Sequence, residues 1–175
     1  MIVIKNIKDI TFSALFTALM VALSLIYIPL TVPITLQTFA VFLSILVLGS
    51  KKGFVSVAVY ILLGLVGLPV FSGFRSGFSA ILSPTGGYIL GLLLIPLGYA
   101  LFNFIFKGKL KRISLFIGLI ACYIAGSIWY MIFVSESSFF AVLTVCVLPF
   151  IIPDVIKLIF AFILAKRIEK IKVVR

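Results

Sequence analysis

Asp154 is the only carboxylate inside the apolar stretches of this 175-residue chain, and Lys157 follows it by three residues in the run Leu148-Pro-Phe-Ile-Ile-Pro-Asp-Val-Ile-Lys157. A charge at a bilayer centre costs about 2.5 kcal/mol or more, so such residues usually serve a site or a partner. Residues i and i+3 share a helix face, which lets both groups enter one small volume. A carboxylate beside an ammonium suits a neutral polar ligand that both donates and accepts hydrogen bonds. The competing role is a structural ion lock, for which one partner on each of two helices is the commoner arrangement.

Catalytic chemistry finds little support. The chain contains no histidine, which removes His-based zinc sites, His-assisted nucleophiles and His-ligated haem. One buried carboxylate cannot make an aspartic dyad, and no serine is singled out beside Lys157. Cys122 and Cys146 lie far apart in apolar runs, outside any CxxC pattern, and read as small hydrophobes. We therefore expect no enzyme, no metal and no bound cofactor.

The elements that position the pair must be membrane helices. Hydrophobic residues make up 64% of the chain, more than one soluble core of this size can hide. Apolar runs between charges and Pro/Gly punctuation predict six spans, at about 11–29, 34–50, 53–71, 87–106, 113–134 and 149–166. The expected fold is an all-α integral membrane protein, a single six-helix domain over residues 1–175. The first run starts basic but is long and lacks a convincing cleavage site, so it reads as helix 1 rather than a signal peptide.

The net charge of +11 is unevenly spread. Thirteen of the fifteen Lys and Arg residues fall at the termini, beside Lys51 and Lys52, or in the Lys107, Lys109, Lys111, Arg112 cluster. The opposite loops hold only Arg75 and Glu136. This asymmetry predicts a multi-pass protein of a bacterial-type cell membrane with both termini cytoplasmic. Anionic lipid headgroups, rather than nucleic acid, are the natural counterions.

The external connections carry more information. Tyr27 to Ile34 is short and stiffened by Pro29 and Pro33. Pro69 to Tyr88 mixes glycines and prolines with Phe71, Phe74, Phe78, Ile81 and Leu82. A connection this apolar is expected to fold back over the helix ends as a lid between helices 3 and 4. In helix 6, Pro153 suits a first turn, so the helix is expected to start near Asp154, whose carboxylate suits a helix N-terminus. Counting up from Lys166-Arg167 places Lys157 roughly 13 Å and Asp154 roughly 18 Å above the cytoplasmic anchor, so the pocket should open outward. In helix 1, Ala14, Ala18 and Ala22 form a flat stripe that admits another helix, internal or external.

Four segments in register resemble the BioY family: Val32-Pro-Ile-Thr-Leu-Gln-Thr38, Leu62-Leu-Gly-Leu-Val-Gly-Leu-Pro-Val-Phe71, Ser83-Pro-Thr-Gly-Gly-Tyr88 and Ile152-Pro-Asp-Val-Ile-Lys157. The chain departs from the family pattern at Phe74-Arg75-Ser76, where the family is glycine-rich, and at Ser83 before the Pro-Thr-Gly-Gly-Tyr motif. The resemblance implies a biotin-specific substrate-binding (S) component of an energy-coupling factor (ECF) transporter. Such a component captures biotin from outside and docks on a transmembrane coupling subunit driven by two cytoplasmic ATPases, which use the ATP. It further implies that Ala14 and Ala18 form the family's AxxxA contact with that subunit.

Biotin carries a ureido group with two N–H donors and one carbonyl, an apolar bicycle and an acid tail. Asp154 can accept from the ureido N–H groups through charge-assisted bonds, and Lys157 can donate to the ureido oxygen. Gln37 offers a donor and an acceptor, with an interhelical hydrogen bond as its other role. Tyr88 offers ring and hydroxyl or serves as an interfacial anchor, and Trp129 is a candidate to pack on the bicycle. Arg75 is a candidate for the carboxylate of the acid tail or for a lipid phosphate. The alternative function is a self-sufficient ion- or proton-coupled carrier of a small polar solute, with Asp154 as the relay.

Overall fold

The computed structural model describes residues 6–106, 111–134 and 138–170. Lys5, Lys107, Lys109, Glu136, Lys172 and Arg175, which enter the charge asymmetry, lie outside them. The chain runs α1 (Ile7–Ser24), β1 (Tyr27–Ile28), β2 (Ile34–Thr35), α2 (Gln37–Leu48), α3 (Ser50–Leu65), α4 (Gly77–Ile81), α5 (Gly86–Gly91), α6 (Leu94–Ile105), α7 (Lys111–Phe133), α8 (Phe139–Cys146) and α9 (Leu148–Lys170). Among the described residues, four stretches are long and apolar enough to cross a membrane: Ile7–Ser24, Gly86–Ile105, Ile113–Phe133 and Leu148–Lys170.

α2 is the hub. Its residues Ala40 to Ile45 are all buried, and it packs on α1, α3 and α9. A helix buried on every side must be apolar all round, which this stretch is apart from Ser44. Ser44 satisfies its hydroxyl on the Val41 carbonyl at 2.8 Å. α2 passes into α3 through Gly49 alone, which adopts φ 84, a conformation that L side chains rarely accept. Lys51 and Lys52 thus sit in the first turn of α3 rather than in a loop.

α1 turns Ser13, Phe16, Thr17, Met20 and Ser24 inward, and the Thr17 hydroxyl reaches the Ser56 carbonyl of α3 at 3.0 Å. Ala14, Ala18 and Ala22 lie on the opposite, exposed face. The helix ends at Ser24, five residues before the expected Pro29, because the chain enters an antiparallel ladder pairing Tyr27 with Thr35 and Ile28 with Ile34. The stiff connection is therefore a β-hairpin, a structure that two prolines in a short loop do not announce.

Three further departures have local causes. The expected lid is partly helical: a 3₁₀ turn over Ser72–Phe74 and α4 fold inside it. Phe71 is buried beneath it in an edge-to-face contact with Tyr60, 5.6 Å between centroids. Span 4 is interrupted at Leu92-Leu93, four residues before Pro96, because Pro96 cannot donate to the preceding turn. Finally, α9 begins at Leu148, so Pro153 lies inside the helix and Asp154 more than a turn from its start. The helix-terminus argument for Asp154 falls. A proline is tolerated inside a membrane helix where neighbours satisfy the freed backbone.

Candidate ligand site

α2 and α9 pack side by side, which brings Thr38 of α2 against Asp154 and Lys157 of α9. The two charges do point into one volume. Lys157 Nζ donates to Asp154 Oδ1 at 2.7 Å, and Thr38 Oγ1 donates to the same oxygen at 2.8 Å while accepting from Lys157 Nζ at 3.1 Å. The second carboxylate oxygen accepts from the Tyr123 hydroxyl of α7 at 2.5 Å. Asp154 is 2% exposed and Lys157 7%. Burial of such charges is tolerable only because each has partners of fixed geometry.

This cluster forms one wall of a cavity of about 640 Å³, its open mouth included. All five sequence-predicted ligand residues line it: Asp154, Lys157, Gln37, Tyr88 and Arg75. Gln37 opens α2, and its Nε2 is buried without a protein hydrogen-bond partner. A buried amide donor left unpaired loses about 1–3 kcal/mol, so such a group on a cavity wall marks where a ligand acceptor belongs.

Arg75 arrives from the connection between α3 and α4. Its Nε donates to the Ser72 carbonyl at 3.1 Å and one terminal nitrogen to Thr85 Oγ1 at 3.2 Å. Tyr88 exchanges a hydrogen bond with Ser127 of α7 at 3.1 Å. Its ring lies directly over Gly126, where any Cβ would collide with it. A similar close approach joins Gly98 and Gly118, so α5, α6 and α7 form one tightly packed unit that carries Tyr88 and Tyr123 together.

Trp129 is not part of the wall. Its indole donates to the Ser83 carbonyl at 3.0 Å and its ring stacks on Phe133, so it holds the lid rather than a ligand. Conversely, Thr38, Tyr123, Ser72 and Thr85 contribute to the site without having been singled out. Thr38 carried a signal, since it adjoins Gln37 in the resembling motif; Tyr123 carried none. Cys122 and Cys146 are buried as expected, yet both also line the cavity.

The BioY family model matches residues 1–173. The chain belongs to that family. It is 39% identical over 163 residues to a protein named "Probable biotin transporter BioY" of Pyrococcus horikoshii, covering 93% of this chain and 96% of that one. A biotin transporter BioY of Thermotoga maritima is 39% identical over 170 residues, with the same coverages. Among solved structures, the S-component for biotin from an ECF-type ABC transporter superposes with a TM-score of 0.84 at 30% identity, covering 95% of both chains. A BioY chain of this kind is a multi-pass membrane transport protein, not an enzyme.

Proposed function

We propose that this chain is the biotin-binding S subunit of an ECF-type importer, folded as one membrane unit over residues 1–175. The observation that carries the reading is a single cavity that combines a braced carboxylate–ammonium pair with the unpaired Gln37 amide. A ureido group matches it: N–H groups to Asp154, the carbonyl to Lys157 or Gln37 Nε2. Tyr88 borders the bicycle, and Arg75 receives the carboxylate of the acid tail from the lid side. No resident cofactor takes part; the ATP is used by partner subunits.

In this reading six helical runs cross the membrane, with α5 and α6 forming one of them. α2, at 12 residues, rises only about 18 Å of a core about 30 Å thick. The β-hairpin of residues 27–35 fills the remaining depth above it and leaves the site recessed from the outer face. Residues 69–85 act as the external lid, and the termini lie in the cytoplasm, as the basic clusters require. The exposed Ala14–Ala18 stripe of α1 is the contact for the coupling subunit, which works with two ATPases. Titration calorimetry of biotin into the purified chain, without nucleotide, tests the reading. We expect saturable binding at one site, and absence of binding refutes it.

A further inference from the structure

A second hollow lies behind the first. Between α7, α8 and α9 runs a groove of about 1180 Å³, its open side included, lined by Phe116, Ile124 and Met131 on one side and Leu143 and Ile151 on the other. Among the described residues its only polar linings are Ser127 and Tyr123. An apolar cavity stays dry, and an unfilled one forfeits dispersion contacts along its walls. The occupant must therefore be apolar.

Shape and position narrow it further. From Phe116 to Met131 the groove follows α7 for roughly 22 Å, more than the roughly 15 Å of hydrocarbon that one leaflet contributes. Its α7 rim is Ile124 and Ile128, each more than half exposed and continuous with exposed Ile120 and Ile132 on the same helix. It thus opens onto the surface that meets acyl chains. The coupling face proposed above does not cover it, because α1 packs on α2 and α3 while α7 packs on α5, α6 and α8. Leu119 and Tyr123 line both hollows, so the groove and the polar cavity share a wall, and the Tyr123 hydroxyl on that wall holds Asp154 Oδ2.

We propose that this groove binds one acyl chain of a membrane phospholipid and that the chain, by backing Tyr123, holds the Asp154 carboxylate in its binding orientation. The second half rests on the biotin reading; the first does not. Linkage makes the effect reciprocal: if the chain tightens biotin, biotin tightens the chain.

The test uses the full-length protein and two variants on one helix, Ile128→Trp, which fills the groove, and Ile132→Trp, one turn further along and outside the groove's lining. Native mass spectrometry should find one phospholipid retained on wild type and Ile132→Trp but not on Ile128→Trp. Stripping lipid with detergent should weaken biotin binding to wild type by about fivefold, and adding dioleoylphosphatidylcholine should restore it. Ile128→Trp should bind biotin with an affinity indifferent to lipid. Equal lipid retention by Ile128→Trp, or a second copy of the chain in place of lipid, overturns the site. Wild-type affinity unmoved by stripping overturns the coupling. Lipid retained by a wild type that binds no biotin upholds the site and refutes the biotin reading instead.

Discussion

The two walls of the ligand cavity are built differently. The Asp154 wall draws one residue group from each of three packed helices: Thr38 from α2, Tyr123 from α7, and Asp154 with Lys157 from α9. The Arg75 wall is local, its guanidinium tied to Ser72 and Thr85 within the same short segment. The first cannot shift without moving packed helices. The second is movable only as a side chain: the guanidinium is tied by hydrogen bonds of 3.1 and 3.2 Å, while its segment is anchored by buried Phe71 and Ile81 and by the Trp129 bond to Ser83. Fixed polar groups confer orientation and selectivity, whereas a charge on a movable side chain suits the exposed end of a ligand. In the proposed reading the ureido group therefore meets the helical wall and the acid tail meets Arg75.

The largest effect should come from the helical wall. Asp154→Asn removes the charge from the hydrogen bonds and should weaken biotin binding at least about tenfold, with the protein still folded and inserted. Equal affinity by calorimetry would erase the distinction between the walls and sink the site assignment. Tyr123→Phe keeps the ring but removes one donor from Asp154. It should weaken binding about fivefold, and a wild-type value would show that Thr38 and Lys157 suffice.

Smaller effects belong to the lid. Arg75→Gln should cost about two- to threefold in affinity, as expected of a partly exposed charge pair. The loss should shrink as salt is raised, while that of Asp154→Asn should not. A salt-insensitive Arg75 effect exceeding that of Asp154 would invert the comparison. No effect on binding is expected from Ala14→Trp or Ala18→Trp on exposed α1, but each should block co-purification with the coupling subunit. Normal assembly with both variants would move that contact elsewhere.

Much of this was legible in the chain itself. The i, i+3 spacing of Asp154 and Lys157 is a local relation that any helix preserves, and the structure has it at 2.7 Å. Gln37 and Tyr88 were readable through family motifs, and Arg75, which stands where the chain departs from the family pattern, only as the lone cation of the external connections. Trp129 misled because an indole in a span has two ways to be satisfied, and packing chose the lid carbonyl of Ser83. Tyr123 was invisible because only the rotation of α7 about its axis decides whether it meets Asp154 or lipid. The start of α9 was misplaced because Pro153 suits a first turn on local grounds, and tertiary packing lets the helix continue through it.

By itself the sequence determined a membrane protein of the BioY family, the charge asymmetry of its loops, and the one place where charge enters the apolar interior. The family follows from four motifs in register; the rest follow from composition and near-neighbour spacing, since the cost of placing a charge in hydrocarbon depends on the residue and its surroundings alone. The tertiary structure decided which groups meet that charge: Thr38, 116 residues away, and Tyr123, 31 away. It also decided that Gln37 Nε2 is left unpaired and that Tyr123 backs onto a second hollow. Such contacts depend on how whole helices pack, through close approaches like Gly98 on Gly118 and Tyr88 over Gly126, and no local property of either partner records them.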